Sequence, residues 1–184
     1  MKKWKVLESD YIYKTPWGNL RRDRCQLPNG YIIENYYVNE YTDWVNVIAI
    51  TRDLEVVFIT QYRHGLKDFI LEVPAGAIED KEDYFQAIAR ELKEETGYAS
   101  DKDPILLGNL YTNPAIANNC AKTFLMLDAY KVSEQNLDIT EDIEISLIPF
   151  KEVGEMIREG KLRQLFSVTA YYLAKDYLEV NNLL

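Results

Sequence analysis

The sequence of 184 residues has few of the features that mark membrane, secreted or thiolate-metal proteins. No apolar run approaches the roughly 18 residues that a membrane helix needs. The basic residues 1–5 are not followed by the apolar stretch of about 7–15 residues that a secretory signal contains, so we expect no signal. The two cysteines, Cys25 and Cys120, match no zinc or redox spacing. These absences favour a cytoplasmic protein with free thiols.

A surplus of basic charge is also missing. Lysine and arginine together number 21 against 30 aspartates and glutamates, which gives a net charge of −9. A protein that binds a nucleic-acid backbone needs a basic surface to neutralise phosphates, so we expect no nucleic-acid partner. A small phosphorylated ligand is compatible with this net charge, because a few arginines or a divalent cation can neutralise the phosphates of the ligand.

The first 42 residues are rich in aromatic side chains and poor in aliphatic ones. Three short strands are predicted, over Lys3–Ser9, Leu20–Gln26 and Tyr31–Val38, with a hairpin turn at Pro28-Asn29-Gly30. Since this segment can bury little by itself, we expect 1–42 to form an N-terminal β-segment that packs on the rest of the chain or on a second copy, and in a dimer to cover the partner's site. A homodimer is therefore predicted, with 43–184 as the main domain.

Strands and helices mix from residue 43 onwards without a regular βαβ alternation. This pattern predicts a mixed α+β fold. The predicted strands are 45–51, 55–61, 69–74, 105–111, 123–132 and 144–150, and the predicted later helices are 151–159 and 166–177. The clearest helix is 80–96, with Asp80 as its N-cap and Gly97 at its end.

The 80–96 helix carries two distinct faces on a helical wheel. An apolar stripe of Phe85, Ile88, Ala89, Leu92 and Thr96 predicts the core face. Glu91, Glu94 and Glu95 fall on an arc that faces well away from this stripe. Neighbouring carboxylates repel one another and favour a counter-charge. The spacing alone allows either a solvated acidic face or a site for a hard cation such as Mg²⁺.

A longer pattern includes these glutamates. Gly76, Glu82, Arg90-Glu91-Leu92, Glu94-Glu95 and Gly97-Tyr98 fit G-x5-E-x7-R-E-U-x-E-E-x-G-U, in which U is a bulky apolar residue. A chance match at a given start is on the order of 10⁻⁹. The pattern resembles the Nudix box, the signature of the Nudix hydrolase family. The resemblance implies a Nudix fold, in which helices sandwich a mixed β-sheet, and metal-dependent hydrolysis of a nucleoside diphosphate linked to another moiety.

The resemblance also implies roles for single residues. Glu91, Glu94, Glu95 and the carbonyl of Ala75 are the expected ligands of Mg²⁺ or Mn²⁺, and Glu94 and Glu95 are counted as catalytic. Gly76 is expected to let the chain turn sharply and expose that carbonyl. Arg90, contacted by Glu82, is expected to orient the glutamates without binding the metal itself. The metal would neutralise phosphate charge and assist the attack of water.

Further motifs resemble the ADP-ribose pyrophosphatase branch of the family. Gln61-Tyr62-Arg63 precedes Leu71-Glu72-Val73-Pro74-Ala75-Gly76, and Pro114 lies 16 residues beyond Tyr98. These matches imply hydrolysis of ADP-ribose, or of another nucleotide sugar, with AMP and ribose 5-phosphate as the products from ADP-ribose. Asn119 departs from the pattern, because the branch has a glutamate there. A nucleoside triphosphate pyrophosphatase and a non-catalytic nucleotide sensor are the alternatives.

Five residues outside the box are candidates for substrate contact or proton transfer. Arg63, with Glu72 nearby, could clamp a phosphate or form a surface ion pair. Glu141 could bind metal or accept a proton from water, or be an exposed loop acid with Asp142 as its substitute. Asn119 could hydrogen-bond to substrate.

Aromatic and basic side chains supply the remaining candidates. Trp44, with Tyr36 and Tyr37, could stack on a base or belong to a core or interface. Arg21, Arg22 and Arg24 could reach a phosphate or ribose, although a solvated edge strand is the simpler interpretation. His64, the only histidine, is interpreted as a loop residue.

Overall fold

The structure is a computed structural model that describes residues 1–79 and 81–183. It divides into two compact units. The first consists of Met1–Asp43 and Tyr111–Cys120, and the second of Trp44–Leu110 and the chain from Ala121 onwards. The boundary of the N-terminal segment therefore lies one residue from the predicted one, but the first unit also takes in a later segment that the sequence did not predict.

The first unit is a three-stranded antiparallel sheet in the order β1-β2-β3. Its strands are β1 (Lys5–Thr15), β2 (Gly18–Gln26) and β3 (Ile32–Glu40). The three predicted strands are confirmed, and Gly30 takes the positive φ of 91° that the Asn-Gly turn requires. The strand β1 is longer than predicted, because a second hairpin turn at Pro16-Trp17 lets it pair with β2 along its whole length.

The second unit is built on a mixed sheet with the order β11-β5-β4-β10-β8. Three shorter strands attach at its sides: β6 pairs with β5, β7 with β4 and β9 with β10. The bounds are β4 Trp44–Thr51, β5 Glu55–Arg63, β6 Asp68–Glu72, β7 Ala75–Ala77, β8 Tyr98–Ala99, β9 Ile105–Tyr111, β10 Cys120–Lys131 and β11 Ile143–Pro149. β4 and β10 run parallel, whereas the pairs β10–β8, β11–β5, β4–β5, β4–β7 and β5–β6 are antiparallel.

Helices cover both faces of this sheet. They are α1 (Tyr84–Thr96), α2 (Phe150–Arg158) and α3 (Leu165–Val180). Successive side chains of a strand point to opposite faces, so β4 contributes Val45, Val47 and Ala49 to the core under α1 and Ile48 and Ile50 to the core under α2 and α3. The predicted α+β fold, a mixed sheet between helices, is confirmed. The short strands β7 and β8 were not predicted, because two or three residues carry no periodic pattern.

No helix in the described residues is long and apolar enough to cross a membrane. Cys25 and Cys120 are free thiols, which agrees with the absence of a cysteine pairing pattern in the sequence.

Candidate active site

The helix α1 is fixed at both ends by local hydrogen bonds. Asp83 is the N-cap, and its carboxylate accepts from the backbone N–H groups of Phe85 and Gln86 while the Gln86 side chain accepts from the N–H of Asp83. Gly97 ends the helix with φ 69°. The predicted N-cap, Asp80, lies outside the described residues, and the helix begins at Tyr84, four residues later than predicted. The predicted end at Gly97 is confirmed.

The buried face of α1 differs from the wheel prediction. Phe85 and Ala89 are exposed, whereas Ala87, Ile88, Leu92, Glu95 and Thr96 are buried. The prediction that all three glutamates face away from the core is wrong for Glu95, which is only 3% exposed. The reason is the strand β7, which lies against this side of the helix and covers it.

Gly76 is required for space next to Glu91. A Cβ atom on Gly76 would lie 2.0 Å from Oε1 of Glu91, much closer than any real contact. Gly76 lies inside β7 opposite Val45 of β4, and its backbone does not adopt a positive φ. The expectation that this glycine provides a sharp turn is therefore wrong: its missing side chain makes room for the Glu91 carboxylate.

Glu95 is held by the same short strand. Its Oε2 accepts a hydrogen bond of 3.0 Å from the backbone N–H of Ala75. Burial raises the pKa of Glu95 to about 8, against the lowering effect of this hydrogen bond, and the charges of Glu91 and Glu141 raise it further. Without a cation, Glu95 is therefore mostly protonated at neutral pH.

Glu91 has a similar environment. Burial raises its pKa to about 7, the neighbouring Arg90 opposes this rise, and the charges of Glu94 and Glu141 add to it. Buried carboxylates that repel one another in this way need either protons or a further positive charge. Hard divalent cations prefer such oxygen donors, so the chemistry of the donor set fits Mg²⁺ or Mn²⁺.

Arg90 is the positive charge already present. Its Nε and Nη2 each donate to Glu82 at 2.9 Å, and its Nη1 donates to Glu91 and Glu94 at 3.0 Å. Hydrogen bonds with Glu82 are the largest influence that raises the pKa of Arg90, and the same bonds lower the pKa of Glu82. The predicted contact between Glu82 and Arg90 is present. In this arrangement no three His, Cys, Asp or Glu side chains converge as a metal site within residues 1–79 and 81–183.

Glu141 lies in the loop between β10 and β11 and is half-buried. The backbone N–H of Asp138 donates to its Oε2 at 3.0 Å, and the N–H of Glu141 donates back to the Asp138 carbonyl at 2.9 Å. Its charge acts on both Glu91 and Glu95. The structure thus places Glu141 where its charge acts on Glu91 and Glu95, whereas the neighbouring Asp142 is exposed.

Arg63 and Glu72 form an ion pair between β5 and β6. The Nε of Arg63 donates to both carboxylate oxygens of Glu72 at 3.1 Å, and Nη2 adds a further bond. Glu72 is buried, while Arg63 stays partly exposed and its charge acts on Glu95. Glu72 therefore orients Arg63 near the glutamate group, with room for a further partner on the guanidinium.

The remaining predicted contacts lie elsewhere. Asn119 is buried in the first unit, where its amide donates to the carbonyl of Thr42 and accepts from the Thr112 hydroxyl. Trp44 lies at the start of β4 and is 39% exposed. Two residues further along the same strand, Asn46 pairs with Ala75 of β7. A substrate role for Asn119 and Trp44 stays a prediction.

The remaining aromatic, basic and histidine candidates form ion pairs or hydrogen bonds within the protein, or are exposed. Each of the three N-terminal arginines has a carboxylate partner: Arg21 pairs with Asp23 and Glu40, Arg22 with Asp10 and Arg24 with Glu34. The interpretation of these arginines as part of a solvated edge strand is wrong, because β2 lies between β1 and β3 in the sheet and each of the three side chains is ion-paired. The hydroxyl of Tyr36 donates to the carbonyl of Ala115, while Tyr37 is exposed. His64 lies in an exposed turn, as expected.

Two polar residues near the site were missed. Ser167 of α3 accepts the backbone N–H of Val73 at 2.9 Å, which fixes the chain just before β7. Gln135 bridges two carbonyls at the end of α1 and the start of β11. Neither residue belongs to a motif, and a single serine or glutamine has no periodic signal, so only the tertiary structure reveals them.

Comparison with known proteins identifies the class to which this fold and glutamate group belong. Residues 41–167 match the family model described as NUDIX domain, and residues 4–39 match the one described as Nucleoside diphosphate sugar hydrolase N-terminal domain. Because the NUDIX model covers more than half of the chain, the protein belongs to the Nudix hydrolase family.

Named relatives extend over nearly the whole chain. A methanol dehydrogenase activator of Bacillus methanolicus is 29% identical over 98% of this chain and 95% of its own length. An ADP-ribose pyrophosphatase of Bacillus subtilis is 29% identical over 91% and 85%. A crystal structure of an ADP compounds hydrolase covers 98% of this chain and 97% of its own, with a TM-score of 0.86 and 20% identity, which supports the fold.

Proposed function

We propose that this protein is a divalent-cation-dependent pyrophosphatase that cleaves ADP-ribose, or another nucleotide sugar, into a nucleoside monophosphate and a sugar phosphate. The observation that carries the proposal is the group formed by Glu91, Glu95 and Glu141, in which buried carboxylates lack a sufficient counter-charge. The N-terminal family match and the name of the Bacillus subtilis relative support the nucleotide-sugar class.

The proposed roles follow from the placement of the side chains. Glu91, Glu94 and Glu95, with the Ala75 carbonyl, would hold Mg²⁺ or Mn²⁺, which supplies charge neutralisation at the diphosphate when bound. Arg90 and Glu82 keep Glu91 and Glu94 in place from behind. Gly76 leaves the space that the Glu91 carboxylate occupies.

The reaction consumes one water molecule. Its oxygen forms a bond to one phosphorus of the diphosphate, the bond from that phosphorus to the bridging oxygen breaks, and the two phosphates separate. We assign Glu141 as the acceptor of the proton that the water loses, because it lies in a loop and its charge acts on both Glu91 and Glu95. Arg63, oriented by Glu72, would bind a phosphate oxygen, and Trp44 would stack on the base.

A substrate panel tests this function. The protein with Mg²⁺ or Mn²⁺ is incubated with ADP-ribose, other ADP-linked sugars and nucleoside triphosphates, and the products are separated by chromatography. AMP and ribose 5-phosphate from ADP-ribose support the proposal. Release of pyrophosphate from triphosphates would instead indicate a triphosphate pyrophosphatase, and binding without turnover of any substrate would indicate a sensor.

We further propose that the protein forms a homodimer and works in the cytoplasm. The strand β1 is exposed along nearly its whole length and carries Tyr11, Ile12 and Tyr13, and Trp17 follows in the hairpin turn with 89% of its surface exposed. Large apolar side chains on an edge strand favour a protein partner, and a second copy would bury them. Multi-angle light scattering at micromolar concentration should give about twice the mass of 21.5 kDa. A monomer there would contradict this proposal.

A further inference from the structure

The loop between β10 and β11 carries Glu141, whose charge acts on Glu91 and Glu95, yet it contains no helix or strand between Val132 and Asp142. An irregular loop of this length needs specific hydrogen bonds to keep one side chain in a fixed place. The turn at Asp138–Glu141 fixes the carboxylate only relative to the loop itself. The position of Glu141 relative to α1 therefore depends on whatever attaches the loop to that helix.

The attachment uses the free carbonyls at the C-terminal end of α1. The last carbonyls of a helix have no partner within the helix. Here the backbone N–H of Asn136 donates to the Glu94 carbonyl at 2.9 Å, and the N–H groups of Val132 and Ser133 donate to the Gly97 carbonyl. The Glu95 carbonyl is bound by a side chain, the amide of Gln135, at 2.7 Å.

Gln135 makes a second bond that closes the loop. Its Nε2 also donates to the carbonyl of Ile143 at 3.1 Å, where β11 begins. One half-buried amide thus joins the end of α1 to the far end of the loop, with Glu141 lying between Gln135 and Ile143 along the chain. Both partners are acceptors, so the side chain at 135 must supply two donors, as the NH₂ of glutamine does.

We propose that Gln135 is the positioning residue for Glu141: its amide, by bridging the carbonyls of Glu95 and Ile143, holds the loop where the Glu141 carboxylate reaches the reacting water. This inference rests on the proposed function. The hydrogen bonds of Gln135 among residues 1–79 and 81–183 go to backbone carbonyls and not to the glutamate side chains that would bind metal, so its effect on catalysis passes through Glu141.

The substitution Gln135→Glu tests the bridge with almost no change in shape. A carboxylate cannot donate to the two carbonyls, so the loop should lose its attachment. We expect kcat to fall about 10- to 100-fold, as for other residues that orient a catalytic group, with KM changed less than about threefold. Gln135→Ala should give a similar fall and serves if Gln135→Glu fails to fold. A kcat within about twofold of the unmodified protein for either folded variant would overturn the proposal.

Gln86→Glu is the matched control. This glutamine lies at the start of α1, where its side-chain oxygen accepts a hydrogen bond, and a carboxylate can accept the same bond. The control should keep kcat within about twofold, although it introduces the same negative charge. An equal loss of kcat in both variants would assign the effect to charge and overturn the proposal.

A double-mutant cycle with Glu141→Gln separates positioning from general damage. If Gln135 acts through Glu141, adding Gln135→Glu to Glu141→Gln should lower kcat by less than about twofold more. Multiplied losses would overturn the inference. Hydrogen exchange gives a readout that needs no substrate: the amide of Asn136 should exchange faster in Gln135→Glu than in Gln86→Glu. Absence of turnover in the unmodified protein would refute the proposed function, whereas unchanged exchange would refute the bridge alone.

Discussion

Replacing Glu95 with glutamine should stabilise the metal-free protein at neutral and alkaline pH while abolishing its activity. Glu95 is buried, and its pKa is raised from the ordinary value of 4.5 to about 8. An acid with a raised pKa in the folded state contributes stability that is fully present below its unfolded pKa and is lost as the pH rises through the folded pKa. Stability should therefore fall between about pH 4.5 and pH 8.

The magnitude follows from the same shift. Each pH unit between the two pKa values changes the free energy of unfolding by about 1.4 kcal/mol, so at pH 7 the buried carboxylate costs on the order of 3 kcal/mol. Glutamine removes this cost, and its side-chain oxygen can still accept the N–H of Ala75. The NH₂ group of the introduced glutamine has no identified hydrogen-bond acceptor, which reduces the gain in the free energy of unfolding by about 1 kcal/mol. The expected net gain is about 2 kcal/mol at pH 7 to 8.

Urea unfolding in EDTA, followed by tryptophan fluorescence, measures this difference. The three tryptophans supply the signal. The gain of Glu95→Gln should shrink to nothing or reverse near pH 4.5, where the unmodified side chain is protonated. Glu94→Gln is the control. It removes the same charge from the neighbouring residue, whose side chain is 38% exposed rather than buried. With Mg²⁺ in excess, only the unmodified protein should gain stability. A metal-free Glu95→Gln variant that is less stable at pH 8 would refute this account of the buried carboxylate.

Three further substitutions give distinct results. In Gly76→Ala the added Cβ would displace the Glu91 carboxylate, so kcat should fall about 100-fold while the urea midpoint changes little. A normal kcat would show that the Glu91 carboxylate does not need the space left by Gly76. Glu94→Gln should also lower kcat about 100-fold with stability kept within about 1 kcal/mol, and near-normal turnover would remove Glu94 from the site. Arg63→Lys keeps the charge but loses the two-pronged contact with Glu72, so KM should rise about tenfold in steady-state assays, and an unchanged KM would exclude Arg63 from substrate binding.

The sequence predicted the candidate glutamate site because the pattern that indicates it is largely local. The end of the helix at Gly97 and the spacing of its glutamates are set by nearby residues, so a contiguous pattern was sufficient to predict them. The strand pattern and the Asn-Gly turn were predictable for the same reason, since backbone geometry depends on neighbours along the chain. The error at the start of α1 was also local, because several acidic residues there could each serve as a cap.

The environment of those residues was decided by tertiary packing. Whether Glu95 is exposed or buried depends on β7, a strand too short to predict, and the space at Gly76 depends on the same strand. The attachment of Glu141 through Gln135 joins positions that are 40 residues apart in the chain, from Glu95 to Gln135. A sequence pattern records which groups are available, whereas burial, desolvation and long-range hydrogen bonds arise only when distant segments pack together. These long-range effects set the charge state of the glutamates, and through it the chemistry of the site.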